Sequence, residues 1–281
     1  MKIVFSKECL EYRFGNHPES PERVKNTYEF LRKKGFRFLE PKPCTENDLL
    51  VAHSREMINH IKKEDFLDFE TPSLPGIYHY ARLSVGGALL AMKVALEGTN
   101  SFSLMRPPGH HASQDNYEGF CYFNNIAIAA LKARRKARNV AILDIDVHHG
   151  NGSESLLMGK KGILYVSLHQ YGFIYPGTGR YSNDNVRNFP MDAGTSGKIY
   201  LQNLSEALNI IREFNPGLIG VSAGFDTFEG DPLAGIKLEV GTYEKIGKMI
   251  RDLRKPVFSV LEGGYSEKMP ECVYSYIKGL Q

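Results

Sequence analysis

Residues 140–152 read Val-Ala-Ile-Leu-Asp-Ile-Asp-Val-His-His-Gly-Asn-Gly. The opening run is apolar without alternation, the pattern of a strand covered on both faces. It turns polar at Asp144, Asp146, His148 and His149. Side chains two apart on an extended segment project to the same side, so Asp146 and His148 are spaced to grip one ion. Taken alone, such an ending would also suit an ordinary strand terminus with local hydrogen bonds. Its company along the chain decides between the two.

Working outward, apolar runs predict further strands at Lys2–Phe5, Ser101–Met105, Ile163–Ser167, Leu218–Ala223 and Val257–Leu261, with Val140–Asp144 among them. Amphipathic stretches between them predict helices at Glu22–Lys33, Ile77–Leu96, Asn124–Arg134, Lys198–Phe214 and Tyr243–Leu253. Ser20 stands as the cap and Pro21 as the first residue of the N-terminal helix. Strands that alternate with helices point to an α/β chain, with one mostly parallel sheet between two helical layers. No segment is long enough to divide it, so residues 1–281 are expected to form a single catalytic domain. Lys63–Gly76 and Tyr171–Ser196 read as surface loops, long enough to serve a site.

Each predicted strand from the second onward runs into polar residues. Arg106-Pro-Pro-Gly-His110-His111 follows the second, Leu168-His169 the fourth, Gly224-Phe225-Asp226 the fifth and Glu262-Gly-Gly-Tyr265 the last. In open parallel sheets the carboxyl ends of the strands share one edge, and ligands bind there. Asp226 therefore joins Asp146 and His148. Two carboxylates and one imidazole leave a divalent metal with open positions, as catalysis requires, and this hard ligand set also suits Fe²⁺ or Mn²⁺. His110 and His111 suit acid–base work near neutral pH, with Asp144 placed to orient His110. The glycines before Tyr265 allow a sharp bend that aims its phenol inward, where it would stabilise an oxyanion.

Composition excludes several alternatives. The chain has 281 residues, 42% hydrophobic and 24% charged, and a formal charge of +3. That balance is too weak to point to nucleic acid or an anionic membrane. No stretch approaches the roughly 18 apolar residues of a membrane span, and no signal-peptide core opens the chain. Cys9, Cys44, Cys121 and Cys272 are scattered without a C-x-x-C pair, the usage of a cytoplasmic protein with reduced thiols.

The residues resemble the arginase–deacetylase superfamily, and within it the zinc-dependent histone deacetylases and acetylpolyamine amidohydrolases. Seven stretches carry the likeness in the family's order: His17–Arg23, Arg106–Ala112, Gly119–Asn124, Asp144–Gly152, Tyr175–Gly179, Gly224–Gly235 and Leu261–Tyr265. The resemblance implies the arginase–deacetylase fold and removal of acetyl or other acyl groups from acylated lysine or a small acylated amine. By motif it implies zinc on Asp146, His148 and Asp226, with His110, His111, Asp144 and Tyr265 catalytic. It implies a structural potassium ion at Asp144, Asp146, His148, Ser167 and Leu168. It further implies a substrate channel of Gly119, Phe120, Tyr175, Leu233 and Glu70, and an acetate-release cavity lined by Arg23.

Four positions depart from the pattern. Asn151 stands where one branch has an Asp behind the second histidine; this matches the class II-like branch and leaves His111 without a carboxylate partner. Tyr175 replaces an expected Phe. Glu70 stands in for a rim aspartate, and Leu233 for the acidic gatekeeper of a polyamine-selective relative. The rival readings are an acetylpolyamine deacetylase, an arginase-like ureohydrolase that would need ligands for a second metal, and a non-catalytic binder of acylated ligands.

Overall fold

The computed structural model describes residues 1–281. Its strands are β1 (Lys2–Val4), β2 (Phe38–Leu39), β3 (Ser101–Ser103), β4 (Val140–Asp144), β5 (Ile163–Gln170), β6 (Val186–Met191), β7 (Leu218–Ala223) and β8 (Val257–Leu261). They form one eight-stranded sheet in the order β2-β1-β3-β8-β7-β4-β5-β6. Every neighbouring pair is parallel. The helices are α1 (Pro21–Lys33), α2 (Glu46–Leu49), α3 (Arg55–Lys63), α4 (Ile77–Leu96), α5 (Asn125–Ala133), α6 (Asn151–Leu157), α7 (Gly197–Phe214), α8 (Val240–Arg251) and α9 (Met269–Leu280).

The unalternating strand sequences are explained by two cores, one on each face of the sheet. Ala141 and Leu143 of β4 pack with Leu31 of α1, Leu204 of α7, Ile246 of α8 and Ile277 of α9. Their neighbours Val140 and Ile142 pack the other way, with Ile58 of α3, Val85 of α4 and Ile126 of α5. Each such aliphatic side chain contributes roughly 1.5–3 kcal/mol by leaving water. The three-layer α/β/α architecture follows directly. Because β7 lies between β4 and β8, parallel pairing brings the ends of three strands, far apart in sequence, to one edge.

Tyr171–Ser196 is not a continuous loop, because Val186–Met191 forms β6 at the sheet's edge. Its Val-Arg-Asn-Phe-Pro-Met lacks an apolar run, and an edge strand tolerates the proline that a central one would not. The two-residue β2 and helices α2, α3, α6 and α9 were also not foreseen. Ser20 occupies the cap position of α1 with Pro21 following, but its hydroxyl makes no capping hydrogen bond.

Candidate active site

The ends of β4 and β7 supply three groups whose ligand atoms all lie within 4.8 Å of one another: Asp146, His148 and Asp226. His148 Nδ1 is 3.1 Å from Asp146 Oδ1 and 3.2 Å from Asp226 Oδ2. The backbone holds the far oxygens. Gly263 N–H donates to Asp146 Oδ2 at 2.8 Å and Val147 N–H to Asp226 Oδ1 at 3.0 Å. The inner oxygens thus face His148 together. Glycine is required around them: a Cβ at Gly263 would stand 2.1 Å from Asp226 Oδ2, and one at Gly224 2.1 Å from Asp146 Oδ2.

This donor set fits a divalent cation. Two fully buried carboxylates compete for protons with the imidazole between them. Burial and the neighbouring Asp146 push the Asp226 carboxyl up to about 7. Burial opposes charge on His148 as well, but hydrogen bonds to the two aspartates overcome it and raise the ring to about 10. A dication among these atoms would remove the competition for protons.

His110 and His111 sit beside this cluster, with ring centroids 4.0 Å apart. His110 Nδ1 is 3.1 Å from Asp144 Oδ2, and that oxygen also accepts from the Tyr165 hydroxyl at 3.0 Å. Burial works against a charged His110, yet Asp146 and Asp144 outweigh it and raise the ring to about 10. His111 goes the other way. Burial first, then the positive charge on His110 and His148, hold it well below its ordinary value, so it stays neutral. Its Nδ1 is 2.7 Å from Asn151 Oδ1, which leaves Nε2 for the pocket. Asn151 in turn donates from Nδ2 to Glu118 Oε1 at 2.6 Å. His111 thus pairs with an amide and not with a carboxylate, as Asn151 led one to expect, and the Glu118 carboxylate stands one side chain further back.

Other buried groups brace the site. Glu262, at the end of β8, accepts from the backbone of Gly109 at 2.7 Å and of His110 at 3.2 Å, fixing the turn that carries the histidine pair. Arg23 donates to the carbonyls of Gly264 at 2.6 Å and Glu262 at 2.8 Å, and its guanidinium lies 4.5 Å from the Tyr265 ring. Gly264 has φ +119°, a backbone that side chains rarely adopt, and this bend turns Tyr265 toward the pocket. Glu19 pairs with both Arg23 and Arg106. These roles of Glu262, Glu19 and Arg106 escaped the sequence reading, although all three flank or lie within its quoted motifs.

Residues 17–280 match the family model described as the histone deacetylase domain. The chain belongs to that family. It is 39% identical to a probable deacetylase of Methanothermobacter thermautotrophicus over 100% of this chain and 90% of that protein. It is 36% identical to a histone deacetylase-like amidohydrolase of Pseudomonas aeruginosa, over 94% of this chain and 77% of the relative. The solved acetylpolyamine aminohydrolase of Burkholderia pseudomallei superposes with a TM-score of 0.94 at 25% identity, covering 99% of this chain and 98% of that one. The arginase–deacetylase fold and the reading as a metal-dependent deacylase of acylated amines follow.

Residues from six of the seven motifs, all but His17–Arg23, line one cavity of about 280 Å³. His110, His111, Asp146, His148 and Tyr265 form its inner part, and Gly119, Phe120, Tyr175, Leu233 and Glu70 line the rest, joined by Phe173 and Ile174. The Tyr175 ring meets His111 edge-on at 4.9 Å. Arg23 lies behind Tyr265. Ser167 pairs in register with Asp144, which sets Ser167 and Leu168 of β5 beside the end of β4, where the other expected potassium-site residues begin, although the Ser167 hydroxyl is also 2.9 Å from His169 Nδ1.

Proposed function

We propose that the chain removes acetyl groups from acetyl-lysine side chains or small acetylated amines, with zinc held by Asp146, His148 and Asp226. The single observation that carries this reading is the convergence of those three ligand atoms within 4.8 Å, beside the His110–His111 pair and in a lined cavity. When bound, the zinc would polarise the acyl oxygen and bring the pKa of water toward about 7. Fe²⁺ would serve the same donors.

The side chains would then divide the work. His111, kept neutral, takes a proton from the attacking water at Nε2. His110, held on Asp144, keeps positive charge beside the reacting carbon, and the pair returns a proton to the leaving nitrogen. The Tyr265 hydroxyl donates to the developing oxyanion. The Gly119 carbonyl receives the substrate amide, Phe120 and Tyr175 wall the channel, and Glu70 and Leu233 meet the substrate at its mouth. Arg23 lines the route by which acetate leaves. Potassium would use the oxygen atoms of Asp144, Asp146, His148, Ser167 and Leu168, an all-oxygen set suited to a hard cation.

The four free, buried cysteines support a cytoplasmic setting, and no helix is long and apolar enough to cross a membrane. Residues 1–281 would act as one catalytic domain. Acetylpolyamines are the second substrate class, favoured by the Burkholderia neighbour and disfavoured by the apolar Leu233 at the mouth. A deacylation screen over fluorogenic acetyl-lysine peptides, acetylpolyamines and longer acyl chains, with and without chelator, tests the proposal. Chelator-sensitive release of acetate supports it; no turnover on any acylated amine overturns it.

A further inference from the structure

We propose that Glu118 is a positioning residue that fixes the tautomer of His111 through Asn151. The inference rests on the reading of His111 as the base. A primary amide has an oxygen end and a nitrogen end, and which end faces a neighbour is dictated by what that neighbour accepts or donates. As a carboxylate, Glu118 only accepts. It therefore takes the Asn151 Nδ2–H at 2.6 Å and turns Oδ1 toward His111 Nδ1, 2.7 Å away. An acceptor there requires Nδ1 to carry the ring's proton. Nε2 is then the lone-pair nitrogen, on the side of the cavity.

The placement of Glu118 is rigid. Its N–H donates to the Cys121 carbonyl at 3.2 Å and its carbonyl accepts from Cys121 N–H at 3.0 Å, closing a turn over Gly119 and Phe120. Both turn residues have positive φ, +56° and +69°, and a Cβ at Gly119 would lie 2.5 Å from the His111 ring. The turn is pressed against the imidazole it orients. Tyr175 completes the arrangement: burial first, and then the Glu118 carboxylate nearby, raise its phenol above the ordinary value. The hydroxyl that departs from the family's expected Phe thus lies next to the carboxylate that compensates for Asn151.

The test uses zinc-loaded full-length protein with ¹⁵N-labelled histidine. Glu118→Gln keeps the shape but offers both a donor and an acceptor, so Asn151 is free to turn over. We expect kcat on a fluorogenic acetyl-lysine peptide to fall about tenfold or more, the scale of losing an outer hydrogen-bond partner, with KM and zinc content unchanged. Long-range ¹H–¹⁵N spectra, with His111 assigned by its loss in His111→Gln, should show one tautomer in the wild type and a second in Glu118→Gln. Asn151→Asp places an acceptor-only group against His111 but also turns a second oxygen on the Glu118 carboxylate; adding Glu118→Gln supplies a donor there, so the double variant should lose no activity relative to Asn151→Asp and keep one tautomer. An unchanged kcat with an unchanged His111 spectrum in Glu118→Gln overturns the proposal, as does an equal loss in the Asn151→Asp background. The spectra decide the matter even if the wild type fails to deacylate, an outcome that would sink the functional reading instead.

Discussion

The floor and the mouth of the cavity are built on opposite principles. At the floor, Asp144, Asp146 and Asp226 are wholly buried, and backbone N–H groups or neighbouring side chains take at least one oxygen of each. At the mouth, Phe173 is 113% exposed, and Leu67 and Phe69, in the segment leading into Glu70, are 102% and 90% exposed. A buried carboxylate has one arrangement that its neighbours tolerate, because each unmet bond costs about 1–3 kcal/mol. An exposed ring has many. The floor is therefore held to one arrangement, and the mouth is free to take several.

Substitutions at the two places should differ accordingly. Asp226→Ala is expected to lose bound metal and to drop deacylation to background, read by metal analysis beside a turnover assay. A variant that keeps both would show that the floor is not the metal centre. Tyr265→Phe should keep its metal but lose about 2.7–4 kcal/mol of oxyanion stabilisation, seen in kcat. Full turnover would remove the phenol from the mechanism.

Outside the cavity lining, buried against Ser113 and Asn124, His53 responds to pH. Burial lowers its ring from an ordinary 6.5 to about 4. In the fold Nδ1 faces the Ser113 carbonyl at 2.8 Å and Nε2 accepts from Asn124 N–H at 2.9 Å, which a protonated ring could not do. The unfolded chain takes up the proton first as pH falls. Stability from this group is thus complete above about 6.5, declines down to about 4 and changes no further below, a loss of about 3 kcal/mol. Denaturant melts of metal-free protein at pH 7 and pH 4.5 should show a smaller acid loss for His53→Gln; equal losses would contradict the assignment. The smallest effect belongs to the mouth. Leu233→Glu should raise the kcat/KM ratio of acetylspermidine to acetyl-lysine peptide about fivefold, the worth of one exposed charge pair at ~1 kcal/mol. A tenfold change in zinc affinity instead would join mouth to floor.

The same contrast governs what could be read in advance. The convergence of Asp146, His148 and Asp226 was legible because all three follow the ends of parallel strands, and strand ends leave a trace in sequence. Glu70, Tyr175 and Leu233 were found only through resemblance, and they do share the cavity. Glu118 gave no signal at all: it lies in a loop, Asn-Tyr-Glu-Gly, and its partner Asn151 is 33 residues away. Glu262 was visible in its motif, but its task of holding the Gly109–His110 backbone exists only once β8 stands near that turn. Strand β6 was missed because an edge position relaxes the apolar pattern that announces a central strand.

The most direct test of the account is anomalous diffraction from crystals grown with zinc. One peak about 2.0–2.2 Å from His148 Nδ1, Asp146 Oδ1 and Asp226 Oδ2 is the predicted result. Zinc bound elsewhere, with these three side chains turned apart, would contradict it.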